Sequence, residues 1–109
     1  MGSRGLWIDV LKVEELSAEG RNVVEFEGDQ VVIIEAEGSL FAASNRCPHL
    51  GCALSKGRMD GLVIICPCHD WRFDVSTGAF VDAPEISLRT YDCRVDSGNV
   101  QLKGGGAIR

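Results

Sequence analysis

Cys47-Pro-His-Leu-Gly-Cys52 and Cys66-Pro-Cys-His69 are the stretches on which the reading of this chain turns. Each opens on a cysteine and reaches a histidine two or three positions later, and these are the only two histidines in 109 residues. The full spacing is C-x-H-x16-C-x-x-H. Two thiolates and two imidazoles make a complete donor set for one mixed-ligand metal site. Structural zinc accepts such a set, but zinc fingers group Cys with Cys and His with His. Here each hook mixes the two types.

A thiolate and an imidazole this close on a tight loop reach adjacent irons of a [2Fe–2S] core more comfortably than one tetrahedral ion. Both Cys then sit on one iron and both His on the other. Neutral imidazole lowers the negative charge of the core and eases reduction. Such centres have potentials of about −150 to +300 mV, against about −400 mV for four-Cys plant-type clusters. A zinc-stabilised binding module remains the alternative; colour, iron and acid-labile sulfide separate the two.

Working outward, the chain is of modal single-domain size, with 45% hydrophobic and 25% charged residues, as expected of one modest core. The formal net charge of −5 disfavours nucleic-acid binding, which needs a basic footprint. No apolar run approaches the roughly 20 residues of a membrane span; the longest, Leu62-Val-Ile-Ile-Cys66, is strand length. Met1-Gly-Ser-Arg-Gly-Leu-Trp7 lacks the apolar core of a secretory signal, so the cytoplasm is the expected location. Five cysteines without a signal suggest metal or redox use. Cys93, on an alternating segment, reads as a buried inert thiol.

The rest reads as all-β. Short Val-, Ile- and Phe-rich runs are punctuated by Gly, Asp, Asn and Ser. Strands are expected at Leu6–Val10, Asn22–Glu27, Gln30–Glu35, Leu40–Ser44, Leu62–Cys66, Ala79–Val81, Leu88–Val95 and Asn99–Lys103. Turn signals fall at Glu27-Gly-Asp29, Glu35-Ala-Glu-Gly-Ser39 and Asp96-Ser-Gly98. One helical turn is expected at Val13–Leu16. A strand pair across Leu62–Ile65 would bring the second hook beside the first. Gly104-Gly-Gly106 and the three residues after it read as a loose tail. No G-x-G-x-x-G, Walker A or G-x-S-x-G motif is present. Both histidines belong to the hooks, which leaves none for the 2-His-1-carboxylate triad of a non-haem iron oxygenase. One-electron transfer is what remains.

Cys47-Pro-His49-Leu50-Gly51-Cys52 and Cys66-Pro67-Cys68-His69 resemble the two cluster boxes of Rieske proteins. The resemblance extends over roughly Trp7–Lys103. Ala53-Leu-Ser-Lys-Gly57, Phe73-Asp74, Thr77-Gly78, Ala83-Pro84 and Leu88…Tyr91…Val95…Val100 look like further family landmarks. It implies an antiparallel β-sandwich with a small two-loop cluster-binding subdomain. The whole chain, 1–109, is then a single domain: framework at about 6–44 and 74–103, cluster lobe at about 45–73, tail at 104–109. By the same resemblance Cys47 and Cys66 hold a buried iron, and His49 and His69 an outer iron near solvent.

The resemblance also implies a Cys52–Cys68 disulfide clamping the loops, the alternative being two reduced thiols. High-potential family members place a Ser and a Tyr, which donate hydrogen bonds around the cluster, where this chain has Trp71 and Phe73. Fewer donors imply a potential in the low-to-middle Rieske range. Leu50, Gly51, Pro67 and Pro84 join Trp71 and Phe73 around the cluster, with Leu50, Pro67 and Pro84 forming an apolar docking patch. The implied function is a monomeric electron carrier between a flavin-dependent reductase and an oxygenase or other terminal oxidoreductase. The alternative is a small or regulatory subunit of a larger oxidoreductase such as a nitrite reductase.

Overall fold

Val31-Val-Ile-Ile34 offers no polar face to solvent, which demands a strand covered on both sides. The computed structural model, which describes residues 6–48 and 51–104, places this run in β3 (Asp29–Ala36), with each of the four side chains at most 1% exposed. Val31 and Ile33 face one apolar cluster with Phe26, Ala42, Tyr91, Val100 and Leu102. Val32 and Ile34 face a second with Leu54, Ile64, Phe73, Leu88 and the thiols Cys47 and Cys66.

The sheet containing β3 is therefore the middle layer. It runs β2 (Arg21–Phe26), β3, β4 (Ser39–Ser44), β8 (Thr90–Tyr91). On one side lies the sheet β1 (Trp7–Lys12), β10 (Asn99–Lys103), β9 (Cys93–Asp96), which contributes Val100 and Leu102 to the first cluster. On the other lies a small sheet of β5 (Arg58–Asp60), β6 (Val63–Ile65) and β7 (Arg72–Asp74), which contributes Ile64 and Phe73 to the second. All pairings are antiparallel, so the chain is all-β as expected.

Glu27-Gly28, Glu37-Gly38 and Ser97-Gly98 each form a two-residue hairpin loop with both residues at positive φ. That is the type I′ turn, whose twist matches the flanking strands. The expected helical turn is a single 3-10 turn at Val13–Glu15.

Three expectations need correction. The strand expected at Leu88–Val95 breaks at Asp92: Thr90–Tyr91 pairs with β4, whereas Cys93–Asp96 pairs with β10. One segment switches sheets, as strands do at sandwich corners. Ala79–Val81 forms only isolated bridges, Phe73 to Phe80 and Ala79 to Ser87. Gly104 is no tail residue; it is buried, donates its N–H to Leu6 O at 2.8 Å, and a Cβ there would lie 2.6 Å from Glu27 Oε2. Residues 105–109 lie outside the described residues. Strands β5 and β7 escaped the sequence reading because Arg58-Met-Asp60 and Arg72-Phe-Asp74 each hold one apolar residue between charges, too short a pattern to register.

Gly57 has no positive φ requirement, yet a Cβ there would run into the carbonyl of Ile65. Gly57→Ala is expected to lower stability by about 1–3 kcal/mol, the usual cost of overpacking; denaturant midpoints equal to the wild type would contradict this. Burial pushes the Cys93 thiol up from 9.0 to about 11. The folded state thus holds this proton where the unfolded chain loses it. The Cys93 contribution is intact below pH 9 and is lost as pH rises toward 11. Cys93→Ala is expected to flatten that alkaline decline, read from unfolding midpoints between pH 8 and about 11.

Candidate metal centre

The two hooks are built on one backbone plan. In the first, Cys47 N–H donates to Cys52 O at 2.9 Å, and Gly51 N–H returns to Cys47 O at 2.7 Å. In the second, Cys66 N–H donates to Trp71 O at 2.7 Å, and Asp70 N–H returns to Cys66 O at 3.1 Å. The fifth residue of each hook is left-handed, Gly51 at φ 74° and Asp70 at φ 60°. Glycine adopts that region freely and Asp is among the side chains that tolerate it best. The first hook is closed at its neck by the bridge Arg46 to Ala53, the second by the β6–β7 hairpin.

The plan sorts the donors by depth. Cys47 and Cys66, the opening residues, are 2% and 1% exposed and sit in the same core cluster. His69, near the end of its hook, is exposed, as are Pro48, Pro67 and Cys68. His49 and Leu50 lie outside the described residues. A buried thiol pair beneath an exposed imidazole fits the donor chemistry of a His2Cys2 cluster. It fits zinc less well, since structural zinc sites group Cys with Cys and His with His, whereas each hook here mixes the two.

A disulfide joins Cys52 to Cys68 across a Cα–Cα distance of 6.5 Å. The sulfurs of Cys52, Cys66 and Cys68 lie within 4.8 Å of one another. Two of the three are committed to the disulfide, which leaves Cys66 as the free thiol of that group.

Convergence of the hooks rests on residues the motif reading passed over. Asn45, buried at 3% exposure, sits two residues before Cys47. Its N–H donates to Gln30 O at 2.8 Å, its carbonyl accepts Leu54 N–H at 2.8 Å and its Oδ1 accepts Ser55 N–H at 2.7 Å. It thereby fastens the neck of the first hook to β3 and to the 3-10 turn Leu54–Lys56. A polar residue closing the strand Ser39–Ser44 was the available signal. From that turn the chain passes Gly57, whose carbonyl accepts a bond from Arg21 Nη1, and enters β5. Arg58 then pairs with Ile65, the residue before Cys66. The hairpin expected across Leu62–Ile65 does bring the second hook beside the first, with β5 as its unexpected partner strand.

Trp71 and Phe73, read as replacements for hydroxyl donors, build an aromatic wall. Trp71 stacks on Phe80 with centroids 4.2 Å apart and planes at 7°. Phe73 is fully buried, its ring 5.4 Å from Phe80. Phe80, missed in the sequence, is held against Phe73 by a β-bridge. Val81 N–H donates to Arg72 O at 2.8 Å, and Ala83 packs on the same cluster as Trp71, which leaves Pro84 exposed. Cys93 belongs to the other core cluster, away from the hooks.

Comparison with known proteins agrees with this geometry. The chain is 33% identical over 97 residues to the ferredoxin component of a naphthalene 1,2-dioxygenase system from Pseudomonas aeruginosa, covering 88% of this chain and 93% of that one. Among solved structures it resembles the ferredoxin of carbazole 1,9a-dioxygenase from Nocardioides aromaticivorans IC177, with a TM-score of 0.77, 30% identity, and 88% and 95% coverage. It also shares the fold of a putative NADH-dependent nitrite reductase small subunit from Mycobacterium tuberculosis, with a TM-score of 0.85 at 22% identity over 95% and 99% of the two chains. The Rieske [2Fe-2S] domain profile matches residues 6–92. Two hooks of one backbone plan, two buried thiols and a match over most of the chain lead to one conclusion: this protein belongs to the Rieske [2Fe–2S] domain family.

Proposed function

We propose that this chain is a one-electron carrier that takes an electron from a flavin-dependent reductase and passes it to an oxygenase or another terminal oxidoreductase. The observation that carries the reading is the depth order of the donors, thiols inside and His69 at the surface. Cys47, Cys66, His49 and His69 would hold the group. Bound there, a [2Fe–2S] cluster supplies a one-electron couple. The protein's own part is to bury one end of the site, clamp the loops and leave an imidazole edge for a docked partner. Names of relatives as ferredoxin components of dioxygenase systems support an oxygenase as acceptor.

On the second hook and on the 81–85 segment bonded to Arg72, Pro67, Pro84 and Val81 are exposed, the last at 47%, among the exposed charges Asp70, Arg72, Asp82 and Glu85. Leu50, Pro67 and Pro84 would form the apolar part of a small transient interface for electron transfer. Arg72 and Asp70, also exposed, would tune partner choice. The boundaries that go with this reading are a single domain, a framework at about 6–44 and 74–103, and a cluster lobe at about 45–73. No helix among the described residues is long and apolar enough to cross a membrane. A cytoplasmic monomer is the proposed state. The second reading, a small subunit of a larger oxidoreductase, is favoured by the nitrite reductase likeness, which extends to the fold alone. Stopped-flow mixing with a reductase and an oxygenase decides between them: a carrier is reduced by the first and reoxidised by the second, whereas a bound subunit shows neither step alone.

The midpoint potential is expected in the low-to-middle part of the roughly −150 to +300 mV Rieske range, because Trp71 and Phe73 bring no hydroxyl to the site. Voltammetry at neutral pH measures it, and a value near the upper limit would rule this out. Replacing both Cys52 and Cys68 by Ser is expected to cost about 3 kcal/mol of stability from the lost loop constraint. Visible colour would then bleach faster in denaturant. Unchanged midpoints and bleaching would show the clamp to be idle.

A further inference from the structure

The inner ligand lies beside the clamp. Cys66 Sγ lies within 4.8 Å of both sulfurs of the Cys52–Cys68 disulfide. Cys66 is a free thiol and buried, Cys52 is half-buried, and Cys68 is exposed. These are the parts of a thiol–disulfide exchange: a nucleophile, a central sulfur and a leaving sulfur that water can solvate.

We propose that Cys66, when no iron holds it, attacks Cys52 Sγ, forms a Cys52–Cys66 disulfide and expels Cys68. The inference rests on the carrier reading in one respect, that Cys66 is an iron ligand when the site is loaded. One S–S bond forms and one breaks. The electron pair of the broken bond leaves on Cys68, and the proton shed by Cys66 reaches Cys68 through solvent. Nothing is oxidised overall, so no external oxidant is required.

The direction comes from the surroundings of each sulfur. Attack on Cys52 releases Cys68, whose thiolate emerges in water. Attack on Cys68 would release Cys52 into a half-buried place. It would also join Cys66 to Cys68 across Pro67 alone, whose ring fixes φ and leaves little freedom to meet disulfide geometry. The consequence is a lock. While iron engages Cys66 the nucleophile is absent and the Cys52–Cys68 clamp persists. Once the site empties, the disulfide migrates onto a ligand, and the site refuses any metal until a dithiol reductant resets it.

The test is a linkage map. The iron-loaded protein is stripped with a chelator without thiols or air, held at pH 8, blocked with iodoacetamide and digested with trypsin. Cleavage at Arg46, Lys56, Arg58 and Arg72 puts Cys47 and Cys52 on one peptide and Cys66 and Cys68 on another. Fragmentation before Pro67 then shows which of the latter carries the link and which carries the label. The expected result is loss of the Cys52–Cys68 link on stripping, appearance of Cys52–Cys66, and label on Cys68. The unstripped protein keeps Cys52–Cys68.

Stripped protein is expected to take up no iron and sulfide, and to regain colour only after reduction. In Cys66→Ser, Cys68 is expected to stay linked and unlabelled. A stripped wild type that keeps Cys52–Cys68 with Cys66 labelled would overturn the proposal. So would a Cys66–Cys68 link, labelling of all five cysteines, or links to Cys47 or Cys93, which mark scrambling of an unfolded chain. A protein isolated without iron and sulfide would instead count against the carrier reading, and the map would still decide the exchange.

Discussion

The site depends on one close approach of backbone to backbone. Two hooks separated by a long stretch of chain must present their opening thiols to one buried space. Neither hook can bring this about alone, because each is closed on itself by its own pair of backbone hydrogen bonds. The approach of Gly57 to the carbonyl of Ile65 and the pairing of Arg58 with Ile65 set the distance. They press the exit arm of the first hook against the entry strand of the second. Any side chain at Gly57 would hold the arms apart. The Cys52–Cys68 disulfide then fixes at the rim what this contact arranges at the base.

The remainder of the molecule supports that contact. Strand β3, apolar on both faces, supplies Val32 and Ile34 as a floor under the hooks and Val31 and Ile33 as a roof over the outer sheet. Asn45 satisfies three partners at the place where the middle sheet gives way to the first hook. A buried polar residue costs stability unless its groups are paired, and pairing makes the position rigid. The aromatic wall of Trp71, Phe73 and Phe80 closes the side of the lobe. Burial of Cys47 and Cys66 is thus a property of the core, whereas exposure of His69 is a property of the hook that carries it out of the core.

The second hook and the 81–85 segment expose apolar Pro67, Val81 and Pro84 and charged Asp70, Arg72, Asp82 and Glu85, and the net charge of the chain is −5. Tyr91, on the far side of the middle sheet, is held protonated well into the alkaline range by burial and by its hydrogen bond to Asp29. It packs against Phe26, edge to face.

The two Cys–His hooks, the all-β character and the three hairpin loops were legible in the chain before it folded. Each is written in residues adjacent to one another: Cys and His at fixed spacing, alternating or continuous apolar runs, and a glycine where φ must be positive. Folding settled the rest: which strands share a sheet, that the stretch after Leu88 serves two sheets, that Phe80 joins Trp71 and Phe73, and that Cys66 lies beside the disulfide. These pair residues whose separation is set by packing, and packing reads volume and backbone distance, which no local pattern encodes. Arg58-Met-Asp60 shows the limit. Its sequence has nothing of a strand, and it becomes one because Ile65 lies across from it.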